Sequence, residues 1–254
     1  PECVRAFTEE KLDSRRAILA TDDMLAEDIA KTGHMNDIIR RTINEGVDPI
    51  AAIQMATINA ASWQGLDHIG VIAPGKLADL AIIDGNLEDM KVTQVFLKGD
   101  LVAADGNLLI NLPAYQYPNS VKKSVKRAPI IAEDLMVPTD KTGKVSVNCI
   151  GLILDQNLSE AILTEMETDG GFVKPGLKAD LLPIAVVGRH GQSDIGKTFV
   201  QGFNMAHGAM AETVSHDTHN IIVVGTNYQD MTVAVNRVIE MQGGVVLAKE
   251  GQVI

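Results

Sequence analysis

Hydrophobic spacing changes character at Ile69, and that change limits what this chain can fold into more than any other feature of its 254 residues. Before it, apolar residues recur at helical intervals. Ile38, Ile39 and Ile43 mark one face of a helix expected over 36–45 and closed by Gly46. Ile50, Ile53, Ala56 and Ala60 mark a second, expected over 48–63, with Asp48 placed to cap it and Pro49 to fill its first turn. After Ile69, Pro74-Gly75 separates β-rich runs up to Asp84, and strands expected over 92–97, 101–104 and 108–110 continue as a meander through turns at Lys98-Gly99-Asp100 and Asp105-Gly106-Asn107.

Ahead of the helices lies Ile18-Leu19-Ala20-Thr21-Asp22-Asp23. Three apolar residues suit a buried strand, and strand, helix, helix is the order of an α/β chain. Adjacent acids cannot stay unpaired in a core, so the strand is expected to end where a cation or solvent meets it. Two readings stay open: a metal site, or a cap for a helix opening behind Met24. Residues 8–16, with alternating charge, read as a surface helix leading into the strand.

Downstream, 112–129 mixes Pro, Asn and Ser with a basic cluster at Lys122, Lys123, Lys126 and Arg127, the composition of a linker. From 130 onward β runs and helices alternate, with strands expected over 145–154, 185–188 and 221–225, and helices over 197–205 and 230–241, the last closing at Gly243-Gly244. The segment His216-Asp217-Thr218-His219 holds two imidazoles and a carboxylate, types that ligate divalent ions. A second metal, a polar loop near a barrel mouth and a plain hydrogen-bonded turn are its three readings. Were the following strand to begin early, Asp217 and His219 would share one face. Arg189 and His190 end another apolar run, so both loops could close over one site; the alternative is an anion-free surface turn. Gly191 to Gly196 lacks the spacing of a phosphate loop.

Composition removes several function classes. No apolar run approaches the ~20 residues a membrane helix needs. With 22 basic against 33 acidic residues the net charge is −11, which repels phosphate backbones and leaves a small neutral substrate as the compatible partner, with neither nucleic acid nor membrane. Cys3 and Cys149 form no framework, so a reducing cytoplasm is the expected compartment. Pro1-Glu2-Cys3-Val4-Arg5 lacks an initiator Met and the marks of a secretory signal, so the chain is expected to begin mid-protein, with partners of Asp22 in preceding sequence.

Three segments, in order, resemble the adenine deaminase family of the amidohydrolase superfamily: Thr21-Asp22-Asp23 with Gly33-His34-Met35; Ile72-Ala73-Pro74-Gly75-Lys76-Leu77-Ala78-Asp79-Leu80; and Arg189-His190-Gly191 with the run from Ser215 to Gly225. The resemblance implies an α/β chain: the end of a metal-dependent (β/α)8 barrel over 1–66, part of a small β-sandwich over 67–115, a linker over 116–129 and an additional α+β C-terminal domain over 130–254. It implies hydrolytic deamination of adenine to hypoxanthine and ammonia, with divalent metal, manganese or iron, in a two-metal site. Asp22 then ends the last barrel strand, binds metal and accepts the proton of the attacking water. Asp23, Arg189, His190, His216, Asp217 and His219 become candidates for substrate or active-site loop contacts. The family's His-x-His pair has no match here, and Met24-Leu25-Ala26 departs from its pattern after the aspartate. The implied partner is therefore the N-terminal part of the same enzyme, without which the chain is expected to be inactive; a homo-oligomer stays open. Another cyclic amide or amidine amidohydrolase and a non-catalytic interaction subunit are the alternatives.

Overall fold

In the computed structural model, which describes residues 2–154 and 158–254, the chain divides into two units, 1–114 and 115–254. The helices of the first follow their capping residues. Asp48 accepts from the Ala51 N–H at 2.9 Å and Pro49 takes the first position, so a helix starts there as expected. Five α-helices are described in this unit: α1 (Glu2–Thr8), α2 (Ala26–Thr32), α3 (Met35–Asn44), α4 (Pro49–Ala56) and α5 (Ile58–Trp63). Ile39 and Ile43 of α3 and Ala52 of α4 bury together with Val47 and Met90, and Phe7, Leu19 and Ile83 pack on that cluster.

Four expectations for this unit are corrected. The single helix over 48–63 is two, because Thr57, at φ −130° and ψ −93°, turns its hydroxyl back to the Ile53 carbonyl at 2.7 Å, a bond that competes with regular helix. The helix over 8–16 is replaced by the end of α1 and a 3-10 turn, Ser14–Arg16. Lys11 sits at positive φ, and Asp13 accepts from the Arg15 N–H at 3.0 Å, so the backbone is drawn into a local turn. Residues 18–20 form no strand. No strand lies beside them among the described residues, and Leu19 N–H bonds the Met55 carbonyl at 3.1 Å instead. The strand expected before Pro74 is also absent, for the same want of a ladder, and Ile72 is 85% exposed.

The meander does form. β1 (Leu80–Asp84), β2 (Lys91–Leu97), β3 (Asp100–Ala104) and β4 (Asn107–Leu108) pair antiparallel in sequence order. Its two-residue turns, Lys98-Gly99 and Asp105-Gly106, hold positive φ throughout, the twist that tight hairpins need.

The second unit is a nine-stranded sheet in the order β13-β12-β10-β11-β8-β9-β5-β6-β7. Its strands are β5 (Lys144–Leu152), β6 (Ser159–Asp169), β7 (Phe172–Val173), β8 (Leu182–Val187), β9 (Ile195–Gln201), β10 (Ala209–Glu212), β11 (Ile221–Gly225), β12 (Val245–Lys249) and β13 (Gln252–Val253). Every described pairing is antiparallel except β5 with β9. The helix expected over 197–205 is instead strand β9, because Phe199 and Val200 fill opposite faces of the sheet with under 2% exposure. Short helices α6 (Asn119–Lys122) and α7 (Ala132–Leu135) precede the sheet, and α8 (Tyr228–Met241) covers one face of it.

Met231, Ala234, Val235 and Val238 of α8 are fully buried against Ala185, Val187, Ala209, Ala211, Ile221, Val223, Val246 and Ala248. Alternate positions of four strands thus meet one helical stripe. Gly225 permits the approach, since a Cβ there would lie 2.6 Å from Met231 Cγ. Part of the segment expected as linker joins this core. Val125 is 6% exposed, and its N–H and carbonyl both bond the Gln242 side chain, at 3.2 and 3.3 Å. Asn236 clamps Ile130 in the same way at 2.9 and 3.0 Å.

The N-terminus of α8 is held by charge as well as packing. Asn227 accepts from the Asp230 N–H at 2.8 Å, and the Asp230 carboxylate accepts from Asn227 Nδ2 and from the Gly251 N–H, both at 2.7 Å. Burial opposes the Asp230 charge, but the Asn227 side chain and the N–H groups of Gly251 and Glu250 outweigh it and hold the carboxyl below its ordinary value of 3.8.

Met231→Ala should lower the unfolding free energy of the second unit by about 2–5 kcal/mol, whereas Leu163→Ala should change it by under about 0.5 kcal/mol, as read by urea unfolding. Because Asp230 is more acidic folded than unfolded, its stabilisation is present above the ordinary carboxyl range and is lost as pH falls through the folded value. The difference in thermal midpoint between the wild-type chain and Asp230→Asn should therefore be largest near neutrality and shrink on acidification below about pH 4.

Candidate functional site

The irregular segment that carries Asp22 runs between the Ser14–Arg16 turn and α2, tied to α4 by the Leu19 bond. Asp22 has a positive φ of 47°, its carbonyl accepts from Met24 N–H at 2.9 Å, and its side chain is exposed. The N-cap position of α2 falls on Leu25, which makes no side-chain bond, and not on Thr21, Asp22 or Asp23, while Glu27 and Asp28 face the positive end of that helix. The cap reading is thereby corrected. Asp23 is exposed beside Asp22, and His34 stands before α3 with its N–H donating to Asn36 Oδ1 at 2.9 Å.

As a ligand, Asp22 offers one accessible carboxylate. A catalytic ion needs several ligands, and among the described residues no group of three or more His, Cys, Asp or Glu side chains could hold one. The described residues alone do not fit a metal centre, and the same finding corrects the second-metal reading of the histidine segment.

In the second unit the sequence-predicted residues do converge. β8 and β11 pair antiparallel with Val187 opposite Ile221, so the chain leaving β8 and the chain entering β11 share one rim of the sheet. The Arg189 N–H donates to Asn220 Oδ1 at 3.2 Å and its carbonyl accepts from Lys126 N–H at 2.6 Å. His190 Nε2 lies 2.9 Å from the Thr218 carbonyl. His219, at φ 51°, donates its N–H to the Ser215 carbonyl at 2.6 Å, and its Nδ1 lies 3.2 Å from the Thr213 carbonyl. The rings of His216 and His219 meet edge to face, centroids 4.9 Å apart. Since β11 starts only at Ile221, residues 216–219 are a turn and no strand face is shared by Asp217 and His219. Asp217 is exposed at the tip of that turn.

Arg189 is the distinctive group of this rim. Its Nη1 donates to Ser124 Oγ at 3.2 Å, and its Nε is buried without a hydrogen-bond partner. A buried guanidinium donor left unpaired is costly. Ser124 and Asn220 were not foreseen as members. Nothing local in Ser-Val-Lys or in the residue before an apolar run marks them; a partner 65 or 31 positions away supplies their role. Asp22 and Asp23 belong to the first unit and the other five candidates to the second.

Residues 4–102 match the amidohydrolase family and residues 156–254 match the adenine deaminase C-terminal domain. Adenine deaminase 1 of Carboxydothermus hydrogenoformans is 56% identical over 254 residues, spanning 100% of this chain and 42% of its own length. The adenine deaminase of Desulforamulus reducens is 39% identical over 99% of this chain, and that of Moorella thermoacetica 40% identical over 99%, each across 43% of its own length. The chain thus spans less than half the length of these curated relatives. Among the described residues no helix is long and apolar enough to cross a membrane. An amidohydrolase segment is thus followed by a segment that matches the adenine deaminase C-terminal domain, and along both the chain is similar to the C-terminal part of curated adenine deaminases.

Proposed function

We propose that the chain is the C-terminal share of an enzyme that hydrolyses adenine to hypoxanthine and ammonia. The observation that carries this reading is the 56% identity to an adenine deaminase along all 254 residues. In the same reading 1–66 closes a (β/α)8 barrel, 67–115 contributes to a β-sandwich, 116–129 links and 130–254 forms the added domain. The divalent metal of such an enzyme, manganese or iron, takes its other ligands from outside this chain's described residues.

The chain's own chemistry then rests on Asp22. Its carboxylate is exposed, so it is free to take a proton from the attacking water at one oxygen and release it to the departing amine. Adenine is neutral and rich in ring nitrogen acceptors. Within the second unit, the rim of Arg189, His190, His216 and His219 offers donors that suit such a molecule, with Asp217 as a further polar contact; Asp23 lies beside Asp22 in the first unit. A second reading, a chain that binds without catalysing, draws support from the want of a third ligand beside Asp22 and Asp23 among the described residues.

Ammonia release from adenine separates the two. The full-length enzyme should turn adenine over and the chain by itself should not; activity in neither supports the binding protein, and activity on a hydantoin but not on adenine supports a different amidohydrolase. In the full-length enzyme Asp22→Asn should lower kcat by about 10²–10⁴-fold with little change in KM. Arg189→Gln should act mainly on KM, raising it by roughly tenfold, the signature of a lost binding contact in steady-state kinetics. Wild-type kcat in Asp22→Asn would sink the catalytic reading.

A further inference from the structure

A second concentration of ligand chemistry lies in the first unit, where the Ser14–Arg16 turn runs beside α5. Asn59 of α5 donates from Nδ2 to the Ser14 carbonyl at 2.9 Å and to the Ala17 carbonyl at 3.0 Å, which fastens the turn to the helix from both ends. Beside this tie opens a cleft of about 390 Å³ lined by Arg15, Arg16, Asn59, Ser62 and Trp63. Its size falls within the ~300–1,000 Å³ range of small-molecule sites. A further hollow of about 550 Å³ shares Arg15 and Arg16.

The wall is preorganised on one side and open on the other. Asp13 grips Arg15 through Nε at 2.8 and 3.0 Å and through Nη2 at 2.6 Å, so that this guanidinium is held in one plane at the mouth. Asp13 cancels its charge in part. Arg16 makes no side-chain hydrogen bond or ion pair among the described residues; the Asp13 carboxylate attracts it only at longer range, so its guanidinium fork stays open to an anion. Trp63 is 74% exposed, leaving the broad apolar face of its indole in water. In a chain of net charge −11, an anion meets few such spots.

Guanidinium forks match the oxygens of phosphate, and an open indole face takes a planar base by stacking. Inorganic phosphate would leave the indole unused, and a neutral base would leave Arg16 unanswered. We propose that this cleft binds a nucleoside monophosphate, with Arg16 meeting the phosphate beside the fixed Arg15 and the base lying on Trp63. The site is separate from Asp22 chemistry and does not rest on the adenine deaminase reading.

Trp63 is the only tryptophan of the chain, so its emission reports on the cleft directly. AMP titrated into the 254-residue chain, with excitation beyond the absorption of the base, should quench that emission saturably. Half-saturation should come at a concentration at least roughly tenfold lower than for adenosine or for inorganic phosphate. Arg16→Ala should raise the AMP half-saturation by about tenfold with an unchanged circular dichroism spectrum, and Arg16→Lys, which keeps the charge but loses the fork, should fall between. Absence of saturable quenching at millimolar AMP, equal binding of AMP and adenosine, or undiminished AMP binding in Arg16→Ala would each overturn the proposal.

Discussion

One helix pressed onto one face of a sheet sustains the second unit, and the position of its rim follows from that contact. Met231, Ala234, Val235 and Val238 repeat at helical spacing, and the residues they meet repeat at strand spacing on β8, β10, β11 and β12. The two periods are compatible only in one register. Slipping β11 by one residue would exchange Val223 for Val224 beneath the helix and break the pairing of Val187 with Ile221. That pairing is what sets Arg189 beside Asn220 and brings His190 to the 213–220 turn. The polar rim is thus specified by apolar burial several residues away from it.

The first unit relies on more local devices. A capping carboxylate starts α4, a back-bonded threonine ends it, and one buried cluster joins the helices to Met90. Leu25, Ile50, Trp63 and Ile72 remain more than half exposed, while the largest side chains of the second unit's core are nearly all sealed. Asp22 sits in an irregular segment of this unit that is tied to α4 through the Leu19 N–H. An unladdered segment holds a carboxylate where solvent or a cation can reach it, at the cost of little intrinsic rigidity.

What the sequence disclosed depended on whether the deciding interaction was local. Asp48-Pro49, the paired positive-φ turns of the meander and the stripe of α8 carry their signals within a few residues, and each appears where expected. Strand β6 has a clean alternation, with Ile162, Thr164, Met166 and Thr168 turned inward between exposed acids and leucine, yet its charge hides the pattern from a search for apolar runs. The 197–205 segment failed because its period is ambiguous and only the neighbours β8 and β5 decide it. Val125 looks like a linker residue in sequence, and Ile130 stands just past the expected linker. Gln242 and Asn236, 117 and 106 positions later, recruit them through side-chain amides that imitate a strand's paired donor and acceptor.

The same distinction governs the candidate site. Arginine and histidine at the end of β8 were visible as residue types, but their geometry required the turn before β11, and the orphaned Nε of Arg189 could be found only from coordinates. An unpaired buried donor and an exposed carboxylate are complementary kinds of incompleteness. The first has given up water without gaining an acceptor, and the second keeps its water until a cation displaces it. A fold tolerates a few such groups because its cores are satisfied elsewhere, as the Asp230 network at the start of α8 shows: there every oxygen of a buried acid is answered, and the charge is stabilised rather than left open for a ligand. Satisfied polar groups hold this structure together, and the unsatisfied ones are where its chemistry has room to occur.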